Sequence, residues 1–306
     1  MTQDRAVTTT IDQEICIGCG ECVRVCPQDT ISMQEKKACI TGDDSLTCDH
    51  CRAACASGAV TVAGIDESLS CFYSFPAERK WLPHGKYDIV GLVNLMQSRR
   101  SCRNYLDKPV EKTLLDDLVK IGITAPSGSN CQMWSFNLLP DRATVEKFAH
   151  RIKRFYQNLN KTAEKSWLRF LLKLIGKPEL DWYYENHYQR VKQGLTEWND
   201  KGKDLLFHGA PAVILVASKT SASCPAEDAL LATQNILLGA HSLGLGTCLV
   251  GFVVSAMKRD RKIGDFIKLP EDENVYAAIA IGYPDEKYIY VAGRKPALIR
   301  TIALSS

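Results

Sequence analysis

Four cysteines crowd into eleven residues near the start of the chain, Cys16-x2-Cys19-x2-Cys22-x3-Cys26, and Pro27 follows at once. A segment this short and loop-rich cannot bury enough apolar surface to fold alone, so something bound must supply the stability. Disulfides are one use of such a run, but they belong to exported chains. The opening "MTQDRAVTTTIDQE" is polar and has no apolar stretch of the kind a secretory signal needs. Metal binding is the other use. Four cysteines this close, with proline behind them, fit zinc poorly. They fit a 4Fe-4S cluster well, because a tight loop lets three thiolates converge on one cube while a following helix carries the fourth away. Gly18 and Gly20 suit a backbone that must approach sulfide closely.

The spacing is that of bacterial two-cluster ferredoxins, in which the fourth cysteine of each run serves the other cluster. A second run, "SLTCDHCRAACASG", supplies Cys48-x2-Cys51-x3-Cys55, but its first position is Ser45. Crossing gives the first cluster Cys16, Cys19, Cys22 and Cys55. The second takes Cys26, Cys48, Cys51 and one ligand that the spacing leaves open. Ser45 could ligate through oxygen, Cys39 could reach in from the preceding hairpin, or the site could hold three irons. Cys39 is carried as a candidate ligand with the other seven, although in "KKACIT" it also suits a plain strand position. Residues 11–64 thus resemble a bacterial two-cluster ferredoxin domain, down to "ASGAV", similar to that family's "PTGAI" ending, with Ala56 in place of proline. Cys71, Cys102, Cys131, Cys224 and Cys248 are scattered and are expected to be small buried hydrophobes.

The expected domains are 1–64, a linker at 65–87 marked by Pro76, Pro83 and Gly85, and 88–306. In the last, "VEKTLLDDLVKIGITA" has the spacing of an amphipathic helix, and "APSGSN" is a loop by composition. "QMWSFNLLP", "PAVILVAS", "VYAAIAIGYP" and "KYIYVAG" suit strands. "AEDALLATQNILLGAHSLG" is a helix apolar almost all round, which implies burial in a core or a subunit interface. Residues 143–205 are charged, aromatic and mostly helical in pattern. Helices and strands mix without a regular βαβ repeat, so the fold class is α+β.

A second chemical site is written in four segments. "SRRSCRNY" packs Arg99, Arg100 and Arg103 around Ser101, and guanidinium groups donate paired, charge-assisted bonds to phosphate. "APSGSNCQMWSF" offers hydroxyl and amide groups, "SLGLGTCLVGF" is a glycine turn with free backbone N–H groups, and "VAGRKP" adds Arg294 and Lys295. Together these resemble the nitroreductase family of FMN-dependent flavoproteins over residues 88–306. The resemblance implies a central antiparallel sheet flanked by helices, and a homodimer with two flavins at its interface. It implies that Arg99, Arg100, Ser101, Arg103 and Arg294 hold the FMN phosphate and ribityl chain. It places Leu249, Val250 and Gly251 by the isoalloxazine, and Pro126, Ser127, Asn130 and Gln132 in a loop from the partner subunit. Met133 stands where the family usually has proline. No side chain performs the chemistry in that family, so no catalytic acid or base is named. The aromatic helices at about 150–205, with Trp182, Tyr183 and Tyr184, would cover the flavin or bury dimer surface.

A formal net charge of +3 is too small to argue for nucleic acid, and no apolar run is long enough to span a bilayer. A cytoplasmic location is expected. Clusters at roughly −400 mV are low enough to reduce a flavin. The expected function is therefore to pass electrons from the clusters to FMN and then to a small organic acceptor: a nitroaromatic, quinone or activated alkene. The donor is an external ferredoxin or NAD(P)H. "GLGTCL" fails the Rossmann fingerprint, having Leu249 at the third glycine position, so NAD(P)H would bind only over the flavin. Two other readings stand beside this one: an NAD(P)H-dependent nitroreductase whose clusters are structural, and a redox carrier or sensor without turnover.

Overall fold

A computed structural model describes residues 5–302. Residues 1–4 and 303–306, at the outer ends of the two expected domains, lie outside the described residues. The cysteine-rich part comprises β1 (Thr9–Ile11), α1 (Glu21–Arg24), β2 (Ile31–Gln34), β3 (Lys37–Ile40), α2 (His50–Ala53) and β4 (Val60–Val62). β1 pairs with β4 and β2 with β3, both antiparallel. Its small core joins Ile31, Ala38, Ala59, Val60 and Val62 to Cys16, Cys22 and Cys51. Thiols make up much of what is buried, as expected where bound clusters replace a hydrophobic core.

The larger part runs through α3 (Ile89–Ser98), α4 (Lys112–Gly122), β5 (Trp134–Leu139), α5 (Arg142–Ala163), α6 (Ser166–Leu174), α7 (Glu179–Asn186), α8 (Tyr188–Lys201), β6 (Ala212–Lys219), α9 (Pro225–Ser242), β7 (Gly246–Leu249), α10 (Gly251–Arg259) and β8 (Glu273–Gly282). One antiparallel sheet, ordered β5-β6-β8-β7, separates two helical layers. Strand alternation assigns the faces. From β6, Val213, Leu215 and Ala217 pack with α5, α10 and the tyrosines of α7 and α8. Ala212, Ile214 and Val216 face α4 and α9. Both faces are covered, which is why β6 is apolar without interruption.

One expectation changes. "KYIYVAG" forms no strand: Tyr288, Ile289 and Tyr290 are exposed, and residues 285–302 carry neither helix nor strand. At one edge of the sheet, β7 is bridged by Ser101, which pairs with Thr247 in parallel. α9 is buried against the sheet, while its Leu230 and Leu231 are 50% and 45% exposed, on a face that a subunit interface would cover. Residues 65–87 are tied to the larger part. The buried carboxylate of Asp117 on α4 accepts from the backbone of Tyr73 and Ser74 and from the Ser74 hydroxyl, and Lys120 donates to the Cys71 carbonyl. Among the described residues no helix is long and apolar enough to cross a membrane.

Candidate functional site

The cysteine runs surround two separate cavities. Cys16, Cys19, Cys22 and Cys55 line one. Cys26, Cys48 and Cys51 line the other, together with Ser45. Cys39 lines neither: it lies on β3 opposite Ser32, its thiol directed at the Lys37 carbonyl. Among the described residues no three His, Cys, Asp or Glu side chains converge tightly enough for a single ion. Thiols spread around a cavity are the arrangement a multi-iron group needs. Burial drives the Cys22 and Cys51 thiols up. At Cys26 and Cys55 burial is outweighed by N–H and hydroxyl donors, from Gln28, Thr30 and Ile31 to the former and from Ser57, Ala59 and Val60 to the latter, and the thiols are lowered. Such donors are what thiolate ligands of a cluster require around them.

Three arginines gather near the end of α3. α3 stops at Ser98, and the next residues run in extended form along β7, where the Cys102 N–H donates to the Thr247 carbonyl. Gly246 must be glycine here, because a Cβ would lie 2.8 Å from Cys102 Cβ and Sγ. Burial, and the guanidinium groups of Arg100 and Arg294 beside it, push Arg99 below the ordinary arginine value. Among the described residues none of the three makes an ion pair with a carboxylate. Like charges held together without a counter-ion form a donor set built for a polyanionic group such as phosphate. Arg103 is anchored through its backbone N–H, which donates to Glu286.

Loop 126–132 stands elsewhere. Gly128 N–H and the Cys131 thiol bond to the buried carboxylate of Asp228 near the start of α9. Arg99 instead lies beside His241 at the end of that helix. The thirteen residues between Asp228 and His241 span about 20 Å of helix. Pro126, Ser127, Asn130 and Gln132 are therefore not brought to the arginines of their own chain. Asn130 turns to the cysteine-rich part and donates to the carbonyls of Leu46 and Thr47.

Leu249, Val250 and Gly251 border a groove with Leu230, Lys258, Arg259 and, from the helical insert, Glu179. Trp182, Tyr183 and Tyr184 do not line it: the Tyr183 hydroxyl is bonded to Asn160 and the Tyr184 ring lies 3.7 Å beneath the Arg169 guanidinium. Two anchors escaped the sequence reading. Asp228 holds the loop, and Glu286 receives the backbone N–H groups of Arg103 and Asn104. Asp228 sits beside Glu227 in the first turn of α9, where acidic residues are common, and Glu286 resembles any surface charge, so neither stood out.

Comparison with known proteins divides the chain the same way. The Nitroreductase family model matches residues 96–283, and the 4Fe-4S binding domain model matches residues 9–32. An iodotyrosine deiodinase of Thermotoga neapolitana is 27% identical over 198 residues, covering 64% of this chain and 89% of that protein. A 4-nitrobenzoate reductase of Pseudomonas putida is 26% identical over 218 residues, covering 66% of this chain and 89% of that protein. A solved nitroreductase with bound FMN, from Bacteroides fragilis, shares the fold with a TM-score of 0.52 at 20% identity, over 69% of this chain and 98% of that one.

Proposed function

Because the chain belongs to the Nitroreductase family and carries a 4Fe-4S binding domain ahead of it, we propose that it is an FMN-dependent oxidoreductase that moves electrons from its iron–sulfur clusters to flavin and on to a small organic acceptor, a nitroaromatic, quinone or activated alkene. When bound, the clusters supply single electrons and FMN supplies one or two. Arg99, Arg100 and Arg294 hold the phosphate, with Ser101 and Arg103 beside them. The backbone of Leu249, Val250 and Gly251 faces the ring. Lys258 and Arg259 give the adjoining groove a positive wall, which favours an acceptor bearing an acid group. The Pseudomonas putida relative, a 4-nitrobenzoate reductase by name, agrees with that preference.

The working unit is a homodimer. Loop 126–132 and the arginines sit at opposite ends of α9, so a site containing both takes them from two copies. Exposed apolar residues support this, notably Ile89 and Val90 on α3 and Ile289, Leu298 and Ile299 in the C-terminal segment. Surface of that kind calls for cover by another chain. The location is cytoplasmic.

One observation carries the electron route: Asn130, in the loop meant for the flavin, is bonded to the peptide just before Cys48. The test is anaerobic flavin reduction by reduced ferredoxin and by NAD(P)H, in the wild type and in Cys19→Ala. Ferredoxin is expected to reduce flavin in the wild type and to fail in the variant. Equal reduction of both proteins by NAD(P)H, with none by ferredoxin, would leave the clusters a structural role.

A further inference from the structure

We infer that the fourth ligand of the second cluster is the hydroxyl oxygen of Ser45, so that the chain carries one all-cysteine 4Fe-4S cluster and one held by three cysteines and a serine. The inference rests on the cluster part of the reading above and not on the flavin.

The two runs keep a constant offset of 29 residues, which matches Cys16 with Ser45, Cys19 with Cys48, Cys22 with Cys51 and Cys26 with Cys55. The backbone repeats with the same offset. Gly18 and Gly20 have φ of +70° and +76°, and their counterparts Thr47 and Asp49 have +49° and +63°. Residues other than glycine adopt that region only where their surroundings dictate it. The winding of the first run is thus reproduced even where the sequence resists it. α1 and α2 follow, each with its second residue, Cys22 or Cys51, buried.

This path puts residue 45 where residue 16 stands in the first run. Cys16 and Ser45 are each 9% exposed. Each is tied through its N–H to an upstream carbonyl, Asp12 at 3.1 Å for Cys16 and Arg5 at 2.9 Å for Ser45. Each lines the cavity of its own cysteine set.

The rivals are placed badly. Cys39 and Cys71 line neither cavity. Asp49 reaches the second, but its carboxylate is held by Nε and Nη2 of Arg52. His50 is exposed and matches Glu21, a position that ligates nothing in the first run.

Ligation is chemically simple. The Ser45 Oγ–H bond breaks, the proton passes to solvent, and an Fe–Oγ bond forms with no change of oxidation state. The Thr47 N–H, already donating to Oγ at 3.1 Å, stays to stabilise the resulting alkoxide. Oxygen is a harder ligand than sulfur and favours the more oxidised iron. The second cluster therefore has the lower reduction potential of its serine and cysteine forms.

The test is Mössbauer spectroscopy, EPR and iron counting on the full chain, reconstituted anaerobically with 57Fe and sulfide. The wild type is expected to hold about eight irons, with one distinct iron subsite in one cluster. Ser45→Cys keeps the iron, loses the distinct subsite and raises one cluster potential while the other stays. Ser45→Ala loses about one iron per chain and gains a three-iron EPR signal. Cys39→Ala changes nothing. A change of the second cluster in Cys39→Ala, or a Ser45→Cys protein with unaltered spectrum and potentials, overturns the inference even if the alanine variant fails to fold. A three-iron signal in the anaerobic wild type overturns it too. A chain that takes up no iron overturns the cluster reading itself.

Discussion

The side-chain amide nitrogen of Asn130 donates to the carbonyl oxygens of Leu46 and Thr47 at 3.0 and 3.1 Å, joining the larger part of the chain to the strip of backbone between Ser45 and Cys48. Gln132 fixes which end of the amide faces that strip, because its Nε2 donates to Asn130 Oδ1 at 3.0 Å. Ser129, Asn130 and Gln132 all have positive φ, of 52°, 53° and 47°. Strain of this kind persists only where the surroundings hold it. Asn130→Ala removes both bonds, so cluster-driven flavin reduction is expected to slow by roughly tenfold, from a docking loss of about 1–2 kcal/mol. Direct reduction of the flavin by dithionite is expected to be unchanged. Stopped-flow absorbance separates the two, and equal slowing of both would mean that the loop merely supports the flavin.

The uncompensated guanidinium groups give the second prediction. A charge-assisted bond is worth about 1.5–3 kcal/mol, so Arg99→Ala and Arg294→Ala should each weaken FMN binding by roughly 10- to 100-fold. The wild-type affinity should fall with added salt, and less steeply in either variant. Fluorescence titration of the apoprotein with FMN measures both. Riboflavin, which lacks the phosphate, should bind wild type and variants alike; a loss there would assign the arginines to the ring instead.

Gly18→Ala tests the first cysteine run. The added Cβ would lie 2.0 Å from the Lys36 carbonyl oxygen, at a φ of +70°. Neither backbone can yield cheaply, so the first cluster is expected to be lost and the iron content to fall by roughly half. Iron analysis with visible absorbance shows whether the second cluster survives.

These positions differ in how far the sequence revealed them. Cluster ligands are spaced by local geometry, so Cys16 to Cys26 declared themselves. β6 and α4 follow from periodicity, which is equally local. The segment "KYIYVAG" has strand composition, yet strand formation depends on pairing with a distant strand, which composition does not reveal. The turn of Asn130 toward Leu46 depends on two distant parts of the chain meeting. The choice between Cys39 and Ser45 was hidden because residue type favoured the thiol, while the repeated backbone path favours the serine. Asp228 and Glu286 work through backbone N–H groups that no spacing rule exposes.

Asp117 links stability to pH. Burial alone would raise its carboxyl, but the Ser74 hydroxyl and the N–H groups of Tyr73 and Ser74 outweigh that and hold it below the ordinary carboxylate range. A depressed folded value contributes stability in full above the unfolded value of about 3.9, and the contribution is lost as pH falls through the folded one. Asp117→Ala is expected to cost about 1–3 kcal/mol at pH 7 and less as pH falls below the unfolded value of about 3.9. Urea denaturation of wild type and variant over a series of pH values measures the trend. A cost that does not diminish with falling pH would assign it to packing.

The length of α9 also has a genetic reading. With Asp228 and His241 at its two ends, one chain of the proposed dimer would carry the loop of one site and the arginines of another. A dimer mixed from Arg99→Ala and Asn130→Ala chains would gather both lesions into one site and leave its twin whole. At FMN concentrations that leave the Arg99→Ala sites empty, random mixing of the two impaired proteins should then raise ferredoxin-driven turnover to roughly a quarter of wild type, above either parent alone. Two defective alleles would rescue each other in one cell, which cannot happen to an enzyme whose site lies within a single chain.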